Sequence, residues 1–222
     1  MKYRYFIAVL LCLMVTAGAS APVDLTDRIH AVLMAQPRHT SDQDENPDDR
    51  EARLREVAAS VAAAVFHARC EKAWAQSDCR PVWRGDRLTL AAAVLAMGWH
   101  ETRWASRAQD GRCLELPKGQ QCDRDPKTGE PRAFGPWQQW RVSCAAAWNF
   151  DATSPDALRA GAWCATRRLA IDSQFCSTDG APDFAGAFGR SAAKGCSWVG
   201  STKRVATMLR LSTALRNVRP AP

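Results

Sequence analysis

What the chain lacks closes several classes at once. No two of its nine cysteines stand two to four residues apart, the spacing on which most structural zinc sites depend. No run of alternating apolar and polar residues is long enough to make a useful strand, and no internal repeat is visible, so all-β architectures and repeat arrays are set aside. Beyond the first 20 residues no second hydrophobic stretch approaches the length of a membrane span. Acid is missing from the C-terminal part: residues 184–222 hold seven Lys/Arg and no Asp or Glu, whereas 41–56 hold seven acids.

What is present starts with "MKYRYFIAVLLCLMVTAGAS", two cations and an apolar run ending in small residues. That is the pattern of a secretory signal peptide. Ala17-Gly18-Ala19 satisfies the small-x-small rule and places the cut after Ala19, so residues 1–19 are expected to be removed. Cys12 lies inside the apolar run rather than at its end, which argues against a lipid anchor. The expected residence is periplasmic or secreted, without stable membrane insertion after cleavage. The eight remaining cysteines (Cys70, Cys79, Cys113, Cys122, Cys144, Cys164, Cys176 and Cys196) form an even set in an exported chain, and four disulfides are expected. Cys70–Cys79 and Cys113–Cys122 share a separation of nine and are expected to pair locally; the other pairings stay open. With a formal charge of +7 and a basic C-terminal part, an anionic cell-wall polymer or membrane surface is the expected partner. Nucleic acid is not, since an exported protein rarely meets it.

The class expected is mainly α. Residues 24–35 read as a short helix and "QPRHTSDQDENPDD" (36–49) as a polar linker or mobile arm. The stretch 50–74 is Ala-rich, with Leu54, Val57, Val61 and Val65 on one stripe. "DRLTLAAAVLAMGWHETRWASRA" is a second helix with Asp86 as its cap. Residues 108–136, rich in Gly, Pro and charge, read as a disulfide-pinned loop or small hairpin. Further helices are expected near 137–148, 155–172, 181–189 and 199–216.

One carboxylate breaks the pattern. Leu90, Val94, Met97 and Glu101 share a helix face, so Glu101 continues an apolar stripe. An unpaired charge there costs several kcal/mol in order of magnitude. Such a residue is paired, placed at a helix end in a cleft, or protonated. A carboxyl whose pKa burial has raised is a usable general acid near neutral pH. The structural alternative is a helix-end Glu paired with Arg103 or Arg107. "HETRW" begins like the zinc motif H-E-x-x-H, but Trp104 stands where the second His would be, so no metal is expected; nor is a cofactor. His100 reads as a structural or cleft-edge histidine.

Four motifs carry a resemblance. "AAVLAMGWHETRWA" resembles the catalytic helix of lytic transglycosylases of the lysozyme-like superfamily, with Glu101-Thr102-Arg103-Trp104 in place of E-S-x-F. "FGPWQQW" resembles their G-L-M-Q turn through Gly135 and Gln138, with Trp137 in the Met place. "PDALRAGAWCATRRL" matches the next motif at Pro155, Leu158 and Gly161, with Ala157 for Asn. "DFAGAFGR" stands where the family has A-x-A-Y-N-x-G, with Phe188 for Tyr and Gly189 for Asn. The motifs occur in family order over about residues 85–210, with a longer separation of Glu101 from Gly135 than is usual.

The resemblance implies a lysozyme-like domain over 50–222 that cleaves peptidoglycan glycan strands, with Glu101 as the single acid and base. It implies that Gln138, Trp104, Trp137, Gly135 and Phe188 contact substrate. Glycoside cleavage protonates the leaving oxygen and stabilises an oxocarbenium-like centre. In the transglycosylase route the muramic 6-hydroxyl attacks, giving a 1,6-anhydro product. Glu115, Asp123, Asp125 and Glu130 are candidates for a second acid, which would permit hydrolysis of lysozyme type. The family Tyr is thought to hydrogen-bond the catalytic Glu, and Phe188 cannot. Either another donor serves, or the chain is a wall-binding module without activity. Nine tryptophans suit a sugar cleft as well as a core.

Overall fold

The computed structural model describes residues 24–68, 83, 85–140, 144–145, 149–192 and 195–219. The signal segment and the Cys70–Cys79 pairing lie outside the described residues.

The elements follow from local chemistry. Helix α1 spans Leu25–Met34 and buries Ile29, Val32 and Leu33. Helix α2, Pro47–His67, starts where the Asn46 side chain accepts from the Asp48 N–H at 2.8 Å. Pro47 occupies its first turn and Asp48 and Asp49 face its positive end. Helix α3, Arg87–Thr102, is capped by Asp86, which accepts from the N–H groups of Leu88 and Thr89 at 3.3 and 3.0 Å. Every residue from Leu90 to Gly98 is buried. A helix apolar all round belongs in the middle of a core, and α3 is packed by α2, by α5 (Pro155–Phe175) and by α7 (Ser201–Asn217). Short helices α4 (Ser106–Gln109) and α6 (Phe184–Ser191) complete the helical set, with α6 wedged against α5 and α7. The molecule is mainly helical.

Three features depart from the expectations. The long second helix is broken: Arg103 and Trp104 adopt φ of 49° and 61°, a left-handed pair that costs about 1–2 kcal/mol per residue. Burial offsets that cost. The Trp104 indole folds back onto Gly98, where a Cβ would collide with the ring, and the residue is 5% exposed. Arg53 then donates to the Trp104 carbonyl at 2.9 Å.

The segment 36–49, read as a linker or mobile arm, is anchored through residues 36–46 and enters α2 at Pro47. Asp42 is buried and accepts from the Ser106 N–H and hydroxyl at 2.8 and 3.0 Å. Arg53 holds Glu45 through two contacts, 2.7 and 2.9 Å. The His39 Nε2 is bonded to the Gln120 side chain. The segment is polar because its contacts are polar, and composition alone does not distinguish that from solvation.

The helix expected near 137–148 is absent from its first four residues. Strand β1 (Ala133–Phe134) pairs antiparallel with β2 (Gln139–Trp140), Ala133 opposite Trp140 and Phe134 opposite Gln139. The turn between them uses Gly135 at φ 69° and Gln138 at φ 48°. Residues 108–132 include a short 3₁₀ turn, Cys113–Glu115, and a narrow loop closed by the Arg124–Pro131 bridge.

Disulfides join Cys113 to Cys122, Cys144 to Cys164 and Cys176 to Cys196. The first is the pairing expected from spacing. Three bridges fit an extracellular or otherwise oxidising compartment. Among the described residues no helix is long and apolar enough to cross a membrane.

Candidate functional site

The end of α3 and the 135–138 turn are fastened together. The Thr102 hydroxyl, in a 4% exposed residue, donates to the Pro136 carbonyl at 3.0 Å, with Gly98 O as second acceptor at 3.2 Å. The Trp137 indole N–H donates to Val94 O at 3.1 Å. The rings of Trp104 and Trp137 meet edge to face, centroids 5.8 Å apart. Inside the turn, the Gln138 N–H and its side-chain amide both donate to Gly135 O, at 3.1 and 3.0 Å. The turn is therefore held to the helix by two long-range hydrogen bonds and an aromatic pair.

This fastening brings Glu101, Trp137 and Gln138 to one cavity of about 550 Å³, within the size range of small-ligand sites. Met97, Gln120, Gln121 and Asp123 line it as well, as do Trp140, Arg168, Trp198 and Arg204.

Not every expected residue is there. Phe188 is fully buried in the main core, and Trp104, 5% exposed, belongs to the same core as Trp137 and does not line the cavity. Gly135 shapes the turn without lining the cavity. Of the possible second acids, Asp123 lines the cavity. Glu115 faces Arg112 at 3.3 Å, Asp125 caps its own loop through the Lys127 N–H at 2.8 Å, and Glu130 is exposed.

Glu101 has an ion partner. Arg204 Nη1 lies 2.7 Å from Glu101 Oε1, with side-chain exposures of 11% and 27%. The contact is close but not aligned as a hydrogen bond. The paired-glutamate alternative thus has the right chemistry with a different cation. Arg103 sits over the Trp99 ring at 6.0 Å, and Arg107 donates to Glu115 O at 3.0 Å. The Arg204 guanidinium also stacks over Trp198, 5.3 Å from the ring centroid. Gly189 matters here: a Cβ would drive into the Gly195 carbonyl, so the close approach of the 195–198 loop, and with it the position of Trp198, requires glycine.

His100 points elsewhere, with its Nε2 bonded to the Thr207 hydroxyl at 2.9 Å. Shielding from water, then the charge of Arg204, hold its imidazole below the ordinary histidine range. Among the described residues no three His, Cys, Asp or Glu side chains converge as metal ligands do.

Sequence reasoning missed Arg204, Arg168, Trp140 and Trp198. One signal was available for Arg204. Ser201, Arg204, Met208, Leu211 and Leu215 form the buried stripe of α7, so Arg204 is a cation on an apolar face just as Glu101 is an anion on one. No family model matches the chain, and the comparisons with curated proteins and with solved structures found no match.

Proposed function

We propose that the protein is an exported peptidoglycan-cleaving enzyme of lysozyme-like fold, a lytic transglycosylase with Glu101 as general acid and then base. The observation that carries the reading is the meeting of Glu101, Trp137 and Gln138, the residues of two separate family-like motifs, in one cavity. Trp140 and Trp198 offer aromatic faces of the kind that stack on sugar rings, while Trp137, 1% exposed, is packed into the core beneath the turn. The disulfide-linked loop 113–122 leads directly into the wall residue Asp123 and serves as the cleft loop in this reading. In this reading Arg204, 2.7 Å from Glu101 Oε1, stands in for the missing family Tyr as the polar partner of the acid.

In the reaction, Glu101 gives its proton to the oxygen leaving the cleaved glycosidic bond. The resulting carboxylate takes the proton of the 6-hydroxyl as that oxygen closes on the anomeric carbon, and the product is a 1,6-anhydro sugar. No water is consumed, and Glu101 ends protonated as it began. A hydrolytic reading is favoured by one observation: the Asp123 carboxylate on the cavity wall could direct a water molecule. Mass analysis of fragments released from purified sacculi tests both. Fragments ending in the anhydro sugar support the transglycosylase, and reducing ends support the hydrolase. Sacculi that are bound but never solubilised refute both in favour of a wall-binding module.

A further inference from the structure

Arg204 carries more hydrogen-bonding capacity than the folded chain uses. It is 9% exposed. A guanidinium has five N–H groups in a planar fork that fits a carboxylate through two parallel bonds. Among the described residues its close contacts are the single unaligned approach to Glu101 and the stack on Trp198. Its Nη1 is buried and meets no acceptor in hydrogen-bond alignment, Glu101 Oε1 at 2.7 Å being an ion partner approached off-axis. Buried donors are normally satisfied, and this one lines the cavity that holds Glu101. Arg168 lines the same cavity. Part of its charge is taken by Asp172 at 3.5 Å, and its Nη2 donates to Arg190 O at 3.0 Å.

We propose that Arg204 is the anion-binding residue of this cavity and that its ligand is a carboxylate carried by the glycan. The proposal rests on the reading of the cavity as a glycan site and names the class of glycan: an acidic one. A ligand carboxylate supplies the two acceptors that Glu101 does not, and it competes with Glu101 for Nη1. An acidic sugar then releases Glu101, which takes a proton from solvent before it acts as acid on the glycosidic oxygen, whereas a neutral one leaves the ion pair closed. The carboxylate has two possible sources, a lactyl ether on the ring or a uronate at C6, and the same chemistry serves both.

Calorimetric titration of the mature chain tests this by binding, with cleavage not needed for the readout. The probes are a peptide-free muramyl tetrasaccharide with free lactyl acids, its methylamide counterpart, and an oligogalacturonide of equal length. In Glu101→Gln, where no carboxylate competes, the acid is expected to bind about ten- to a hundredfold more tightly than the amide, the span of a charge-assisted hydrogen bond. In the wild type the preference is expected to be smaller, and in Arg204→Gln to vanish while affinity for the amide persists. That persistence is the folding control, and Arg204→Lys, which keeps charge without the fork, is expected to fall between. Tight binding of the uronide places the acid on the ring; binding of the muramyl acid alone places it on the lactyl group. Equal binding of acid and amide in Glu101→Gln, or no binding of any probe, overturns the proposal. Cleavage of sacculi without an acid preference overturns the proposal alone, and an acid preference without cleavage overturns the enzymatic reading alone.

Discussion

Thr102→Val is a severe test of how the site is built, because valine has the shape of threonine and lacks only the donor. The hydroxyl lies between two carbonyls, Pro136 O at 3.0 Å and Gly98 O at 3.2 Å. Gly98 O belongs to the body of α3, so the bond to Pro136 is the one that ties separate parts of the chain. Leaving a buried carbonyl without a partner costs about 1–3 kcal/mol, and a methyl group held 3.0 Å from an oxygen adds strain of the same sign. A loss of about 2 kcal/mol corresponds to a fall in Tm of about 4–8 °C for a chain of this size. The turn also carries Trp137 and Gln138, so relaxation of Pro136 shifts both relative to Glu101. A misplacement of about 1 Å can cost on the order of a hundredfold in rate, so glycan cleavage is expected to fall by more than the melt alone accounts for. Thr102→Ser keeps the donor and is expected to retain most activity. Differential scanning calorimetry beside a sacculus-clearing assay measures both quantities. A valine variant that melts within about 1 °C of wild type, or a serine variant as impaired as the valine, refutes the claim that this bond holds the turn.

Other expectations concern charge and sulfur. Partial burial raises the Asp86 carboxyl, but the Thr89 hydroxyl and N–H, the Leu88 N–H and Arg216 outweigh it and hold its pKa below the usual range. Asp86→Ala is therefore expected to cost about 1 kcal/mol as a lost cap, fully at neutral pH and progressively less below about pH 4; equal penalties at high and low pH would contradict this. For His100 the imidazole pKa is lowered in the fold, so the unfolded state takes up its proton first and stability falls as pH drops below about 6.5. Denaturant titrations of His100→Gln should show a shallower loss through that window, and unchanged slopes would count against the assignment. Thiol titration of the denatured, unreduced mature chain is expected to find no free thiol; two per chain would mean that Cys70 and Cys79 are not joined.

Helices were legible wherever one apolar stripe and one cap sufficed. Asp86 caps α3 as its position suggests, and the stripe Leu54, Val57, Val61 and Val65 is buried in α2. The 137–140 region was misread because "WQQW" is compatible with a helix locally, while the Thr102 and Trp137 bonds that impose a turn come from α3. Long-range pairing was invisible for the same reason. Arg103 and Arg107 are near Glu101 in sequence, but Arg204 reaches it from the C-terminal helix. Phe188 and Trp104 took family positions on paper and core positions in space, since burying a large aromatic contributes more than leaving it on a wall. The Cys144–Cys164 and Cys176–Cys196 bridges depend on how α5 and α6 are placed, which spacing does not encode.

The most direct test of the central claim is clearing of purified sacculi by Glu101→Gln beside wild type, with a thermal melt of each. Glutamine keeps the shape of Glu101 and offers a carbonyl to Arg204, so Tm is expected to hold. It cannot donate a proton to the leaving oxygen, and general acid–base assistance is typically worth about 10²–10⁴-fold. A residue that serves as acid and then base belongs at the upper end of that range. Loss of cleavage by about a thousandfold or more with an unchanged melt is the expected result. A variant that cleaves within about threefold of wild type but melts lower would show that Glu101 is the structural partner of Arg204 and not the catalytic acid.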